Sequence, residues 1–322
     1  MAGGRSRSVT DPPGDASFVR DRAPRTWTLW TASRPVQVAL VVAVYALGVA
    51  VAVAHGSPLA GRRVLAGLAA LVPMAAGIHY ANEYADRDTD ALSDRTPFSG
   101  GSGALQATDV PASVVLHAAA VAVTLGGAAA AVGVATGALP RPAAWILAAG
   151  ALGGVQYSLR PLAFARRGLG ELGNAVLGGV ALPCYGAAAV GGLDLTAVLV
   201  VVPFGWFVLA NMLETQWPDR HADADVGKDT LAVRWRPRRL RVAYAAAVLA
   251  GFGTLLALTT GVTGATPDAV PWLVTLATLP AMPLFAWGTV RFTRRRVPYP
   301  AVVGMGLAAV LQLVAWTALA VR

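Results

Sequence analysis

The sequence predicts an all-α integral membrane protein, a bundle of about nine transmembrane helices. Of its 322 residues, 56% are hydrophobic and only 13% are charged. A soluble domain carries roughly 25% charged residues, so this chain is poor in charge for its length. Nine stretches contain no Asp, Glu, Lys or Arg: 35–61, 64–82, 110–140, 142–159, 172–193, 195–213, 242–267, 269–290 and 297–321. About 20 residues of helix cross a bilayer, and even the shortest stretch approaches that length. The stretches are continuously apolar rather than alternating, which excludes a transmembrane β-barrel.

The elements follow in chain order. Residues 1–34 are rich in Arg, Asp, Pro and Ser, with no apolar h-region before the first span. They are expected to be a loosely ordered cytoplasmic leader with no cleavable signal peptide. Residues 35–322 form a single membrane domain. Cys184 is the only cysteine, so no disulfide scaffold is available.

With nine spans, the connecting segments alternate between the two sides of the membrane. The leader and the segments after spans 2, 4, 6 and 8 carry 22 of the 26 basic residues, whereas the other side has Arg62, Arg63, Arg141 and Arg322. Lys and Arg in short loops resist translocation, which makes the basic side cytoplasmic. The net charge of +9 is then explained by topology and contact with anionic lipid, without a nucleic-acid partner.

The acidic residues carry more information. Asn82–Asp94 (NEYADRDTDALSD) holds Glu83, Asp86, Asp88, Asp90 and Asp94, and Glu214–Asp229 (ETQWPDRHADADVGKD) holds Glu214, Asp219, Asp223, Asp225 and Asp229. Acidic residues contribute little to topology, so their crowding needs another cause. Asn82, Asp86 and Asp90 are spaced four apart and share one face if span 2 continues as a helix. Thr215, Asp219 and Asp223 repeat that spacing at the end of span 6. Ligands that are all oxygen suit hard cations, chiefly Mg2+, which takes one or two carboxylates and completes its shell with phosphate oxygens. Two such arrays at a membrane surface fit a diphosphate with an apolar tail. The lone cysteine and the scattered His55, His79, His117 and His221 lack zinc-ligand spacing. His79 lies one turn before Glu83, either touching the site or simply hydrogen-bonded within the bundle.

The segment Asn82–Asp90 resembles the N-D-x-x-D-x-x-x-D signature of the UbiA superfamily of intramembrane prenyltransferases. PDRHADADVGKDTLAVR (Pro218–Arg234) is similar to its second aspartate motif, and YSLRPLAFARRGLGELGNAVLGG (Tyr157–Gly179) to the segment between them. RTPFSGGSGALQ (Arg95–Gln106) resembles the branch that prenylates 1,4-dihydroxy-2-naphthoate on the way to menaquinone. Glu83 departs from the usual Asp, and Thr215 stands where Asn is common.

The resemblance implies a UbiA-type bundle with a cavity opening to the cytoplasmic side. It also implies Mg2+-dependent transfer of a prenyl group from an allylic diphosphate to a small aromatic acceptor. Asn82, Asp86, Asp90, Asp219 and Asp223 would hold the metal. Lys228 leads the cations that would meet the departing pyrophosphate, joined by Arg166, Arg167 and Arg160. Tyr157 either lines the path of the allylic cation or is an interfacial aromatic. Arg34 either faces the acceptor or snorkels to the membrane surface. Gly100, Gly101 and Gly103 either fold a loop over the site or form a linker. Glu171 opens span 5 and favours that helix N-terminus. The expected location is the bacterial cell membrane, with the active-site loops cytoplasmic. A terpene cyclase and a lipid or haem prenyltransferase share these motifs and stay open. A cation-coupled transporter fits poorly, because transporters bury their acids near the bilayer midplane.

Topology is testable without chemistry. A reporter fused after Arg167 or Arg239 should read cytoplasmic, and one within residues 264–268 should read external. An external signal at Arg239 would remove the second acidic segment from the side of the first.

Overall fold

The computed structural model describes residues 14–262 and 269–321, so the 264–268 reporter position and the first residues of the leader lie outside the described residues. Regular structure among the described residues is helical throughout. In chain order the helices are α1 (Gly14–Arg22), α2 (Pro24–Ala32), α3 (Pro35–Ala54), α4 (Gly61–Leu92), α5 (Ala112–Ala135), α6 (Arg141–Ser158), α7 (Gly170–Val176) and α8 (Leu182–Val190). Then come α9 (Leu195–Thr215), α10 (Arg220–Asp225), α11 (Leu231–Arg234), α12 (Pro237–Thr260), α13 (Trp272–Thr278), α14 (Met282–Arg291) and α15 (Tyr299–Ala320).

Each charge-free stretch of the sequence coincides with one of these helices or a continuous pair. Among the described residues, eight helical stretches are long and apolar enough to cross a membrane: α2–α3, α4, α5, α7–α8, α9, α12, α13–α14 and α15. Helix α6, the fourth expected span, is less apolar because its 18 residues include Arg141, Gln156, Tyr157 and Ser158. At 1.5 Å per residue it is about 27 Å long, close to the thickness of the hydrocarbon core.

Proline sets several helix starts. Pro24 and Pro35 open α2 and α3, where a missing N–H removes no intrahelical bond. Between them Arg34 takes a left-handed conformation at φ 53°, which turns the chain from one helix into the next. The leader departs from the loose order expected of it. From Gly14 it is helical, and α2 buries Thr28 and Ala32 and packs Trp27 against a small cluster of Ala32, Ala104 and Val115, which Tyr80 and Leu105 also cover. Two tryptophans in one short segment give it an apolar face that a polar average conceals.

Packing is tightest where small residues let backbones meet, the arrangement favoured where lipid supplies no hydrophobic drive between helices. Gly48 of α3 lies against the Pro183 carbonyl of α8, and Gly186 of α8 against the Tyr45 carbonyl of α3. This approach places the Tyr45 and Tyr185 rings 5.4 Å apart. Tyr185 donates to the Gly67 carbonyl at 2.8 Å and Tyr45 to the Val64 carbonyl at 3.0 Å, tying both rings to α4.

A side chain at Gly48 has nowhere to go except into the Pro183 backbone. Gly48→Val should therefore destabilise the bundle by about 2 kcal/mol or more. The measurement is a thermal unfolding midpoint in detergent, with Gly127→Val, which faces open space, as the control. Equal midpoints for the two variants would show that the contact between α3 and α8 is not needed.

Candidate active site

Helix α4 carries the first acidic motif without interruption, so Asn82, Asp86 and Asp90 follow one another up one wall of a cavity of about 980 Å³. The second motif is built differently. Helix α9 ends at Thr215, and Pro218 disfavours helix at the residue before it. Asp219 then precedes the short helix α10, and Asp223 lies within it. The common face expected from the spacing is therefore not one helix, yet Thr215, Asp219 and Asp223 all line the same cavity.

Lys228 joins the two motifs. Its Nζ stands 3.2 Å from Asp86 Oδ1 and 3.5 Å from Asp223 Oδ1, with 13% of the side chain exposed. Burial works against the ammonium, but Asp86 and Asp223 outweigh it and hold the lysine above its ordinary pKa. Lys228 reaches inward because Gly227, at φ 68°, reverses the chain and lets the Lys228 amide bond the Asp223 carbonyl at 2.7 Å. Burial also pushes the Asp223 carboxyl up to about 6, against the pull of Lys228. It raises Asp219 as well, against the Gly100 amide and Lys228. These carboxylates sit where more positive charge would be stabilising.

The glycine loop resolves in favour of a strap. The Gly100 amide donates to Asp219 Oδ2 at 3.1 Å, and Gly101 lies so close to Asp90 that any side chain would strike its carboxylate. Gly100, Gly101 and Gly103 all have φ between 70° and 79°, which a residue with a side chain rarely adopts. Glu83, only 1% exposed, anchors the strap. It accepts from Ser102 Oγ at 2.5 Å, from the Ser102 amide at 3.3 Å and from Arg34 at 3.2 Å. The carboxylate that replaces the usual Asp thus holds the loop and Arg34 together.

The remaining predicted residues divide. Tyr157 and Arg34 line the cavity, whereas Arg160, Arg166 and Arg167 do not. Arg166 donates to the Val226 carbonyl and accepts from the Asp229 amide, both at 3.3 Å, and so braces the loop that presents Lys228. Arg167 donates to the Pro161 carbonyl at 2.8 Å, and Arg160 is exposed. Glu171 reaches past its own helix to accept from the Leu231 amide at 2.7 Å, which ties down the far side of that loop. Asp88 and Asp225 are exposed.

The donor set fits a hard divalent cation. Asp90 Oδ2 and Asp219 Oδ1 are buried with no hydrogen-bond partner, and Asp223 Oδ1 meets only Lys228, at 3.5 Å. Among the described residues no three acidic, histidine or cysteine side chains converge on one metal position. Carboxylates spread over two walls match Mg2+ shared with phosphate oxygens, not a closed protein cage.

With this geometry in place, comparison with known proteins is decisive on the family. The model of the UbiA prenyltransferase family matches residues 40–302. The chain belongs to the UbiA prenyltransferase family. A UbiA homologue from Archaeoglobus fulgidus, solved bound to DMAPP and Mg2+, superposes with a TM-score of 0.67 at 16% identity over 91% of this chain and 99% of the other. A UbiA homologue from Aeropyrum pernix K1 gives 0.62 at 16% identity over 85% and 96%. A digeranylgeranylglyceryl phosphate synthase gives 0.63 at 11% identity over 92% and 99%. No curated protein sequence matches. As a UbiA-family enzyme the protein is a prenyltransferase.

This UbiA site also contains residues that the sequence reading passed over. Asn211 lines the cavity four residues before Thr215, so the four-residue spacing, carried one turn further into the span, would have found it. Asn174, Gln216 and Arg95 also line it. Asn174 lies three residues before the π-helical turn Leu177–Ala181, a feature with no sequence signature here.

The anchoring role of Glu83 is testable. Glu83→Ala should lower stability by about 1–3 kcal/mol and expose residues 98–103 to protease, while Glu83→Gln keeps part of the protection. Limited proteolysis beside thermal unfolding measures both. A loop that stays protected in Glu83→Ala would show that it is held elsewhere.

Proposed function

We propose that this enzyme catalyses Mg2+-dependent transfer of a prenyl group from an allylic diphosphate to an aromatic or quinone-precursor acceptor, releasing pyrophosphate at the cytoplasmic side of the membrane. The observation that carries this reading is Lys228 bridging Asp86 and Asp223 at the polar end of a cavity whose deeper walls are mostly apolar. A diphosphate with a hydrocarbon tail has the same division of character. The homologue bound to DMAPP and Mg2+, and another solved with GPP and Mg2+, support the donor class.

Asn82, Asp86, Asp90, Asp219 and Asp223 would hold the metal, and Mg2+, when bound, withdraws electron density from the bond being broken. Lys228 offers a compact ammonium to the diphosphate oxygens as the allylic C–O bond breaks and charge develops on the leaving group. The strap of Gly100 and Gly101 and the apolar walls from Leu71, Met74, Leu147 and Phe204 keep water from the allylic cation. An electron-rich acceptor carbon then bonds to the prenyl carbon, and the acceptor loses a proton to restore its aromaticity. Tyr157, on the wall near Lys228, presents a ring to that cation.

The menaquinone-type branch is the finer reading of RTPFSGGSGALQ. That segment engages Glu83, Asp90 and Asp219, so it bears on the diphosphate end more than on the acceptor.

Mass spectrometry of products from purified protein, given allylic diphosphates of several lengths with and without aromatic acceptors, tests the reading. Asp86→Asn and Asp219→Asn should each cost ~100-fold or more in turnover. Lys228→Ala should raise KM for the diphosphate and lower turnover while acceptor KM stays put, with Lys228→Arg recovering only part. Undiminished turnover in EDTA, or cyclised products without any prenylated aromatic, would overturn it.

A further inference from the structure

Below the carboxylates the cavity has a second polar level that the diphosphate does not require. Asp86 and His79 are seven residues apart on one face of α4, which places His79 about 10 Å deeper. On α9, Asn211 lies one turn deeper than Thr215. Both side chains line the cavity. Both His79 ring nitrogens and Asn211 Oδ1 are buried and have no hydrogen-bond partner within the protein. The walls beyond them turn apolar, with Ala75, Met74 and Leu71 on α4 and Val208 and Phe204 on α9.

Buried polar atoms without partners are costly, and a bundle this apolar offers many cheaper residues for those positions. Their level matters. With the diphosphate among the carboxylates and the tail among the apolar walls, the reacting prenyl carbon lies between the two, beside His79 and Asn211. An acceptor must reach that carbon. Its ring therefore sits at the level where the unpartnered groups face the cavity.

The cations that line the cavity are engaged only in part. Arg34 is paired with Glu83 at 3.2 Å and keeps a buried Nε without a partner. Lys228 is paired with Asp86 and Asp223. At the level of His79 and Asn211, hydroxyl and carbonyl oxygens match an imidazole, which donates from one nitrogen and accepts at the other, and an amide.

We infer that His79 and Asn211 form the acceptor station and hydrogen-bond the hydroxyl or carbonyl oxygens of the acceptor ring. This rests on the aromatic-acceptor reading above and assigns the residues that orient its ring.

The test uses the purified full chain with Mg2+ and a fixed prenyl diphosphate, and offers 1,4-dihydroxynaphthalene and its 2-carboxylate as acceptors. His79→Leu should raise KM for whichever ring is prenylated roughly tenfold, as expected for a lost hydrogen bond, with diphosphate KM unmoved. His79→Gln should restore part of the loss. Because the His79 nitrogens bond nothing in the protein, His79→Leu should unfold at the same temperature or higher, whereas a structural histidine would lose stability. Asn211→Leu should repeat the KM pattern. An acceptor KM indifferent to His79→Leu would overturn the inference while leaving prenyl transfer to aromatics intact. Retained Mg2+-dependent binding of the diphosphate with neither ring prenylated would overturn the aromatic-acceptor reading, and this inference with it.

Discussion

Carboxylates placed at the end of an apolar bundle must each be given a counterpart, and that constraint organises the structure. Removing one partner of a buried charged pair costs roughly 3–5 kcal/mol, and most of the buried acids here have a donor that meets them. Lys228 answers Asp86 and Asp223, Arg34 and Ser102 answer Glu83, the Leu231 amide answers Glu171, and the Ala301 amide answers Glu214. Carboxylate oxygens of Asp90 and Asp219 without a hydrogen-bond partner, and that of Asp223 with only Lys228 at 3.5 Å, face one cavity, whereas the free oxygen of Glu171 lies outside it.

Two of these pairings have consequences well beyond their own residues. Glu83 sits on the same helix as the first aspartates, so the strap it holds is fixed relative to them and can span from Asp90 to Asp219. Glu171 and Arg166 flank the loop after α10, one from each side, and between them leave Lys228 little freedom except to point at the aspartates. Below this charged layer, the glycine contacts of α3 with α8 draw Tyr45 and Tyr185 together, and Tyr185 lines the deep end of the cavity. A polar mouth and an apolar depth thus arise from two different kinds of packing.

Much of this was legible in the chain. Charge-free stretches locate the helices because a bilayer-spanning segment cannot carry unpaired charge. The first acidic cluster was legible in detail because it lies on an unbroken helix, where a spacing of four residues fixes a shared face. The second was legible as a cluster but not as geometry, since Pro218 ends the helix that the spacing assumed. The arginines misled for a related reason. Arg160, Arg166 and Arg167 stand next to the right motif, but they belong to a loop, and sequence proximity does not fix where a loop side chain points.

By itself, then, the sequence determined the membrane-spanning helical class, the two carboxylate clusters and the singular place of Lys228, all of which follow from local composition and helical period. Only the tertiary structure decided that Glu83 is an anchor, that the glycine loop is a strap, and that Arg166 supports the site from outside. It alone set His79 and Asn211, 132 positions apart in the chain, on one cavity with their polar atoms unpartnered. Those outcomes depend on which buried group finds a partner across the bundle, and partnership between distant segments leaves no mark in local spacing.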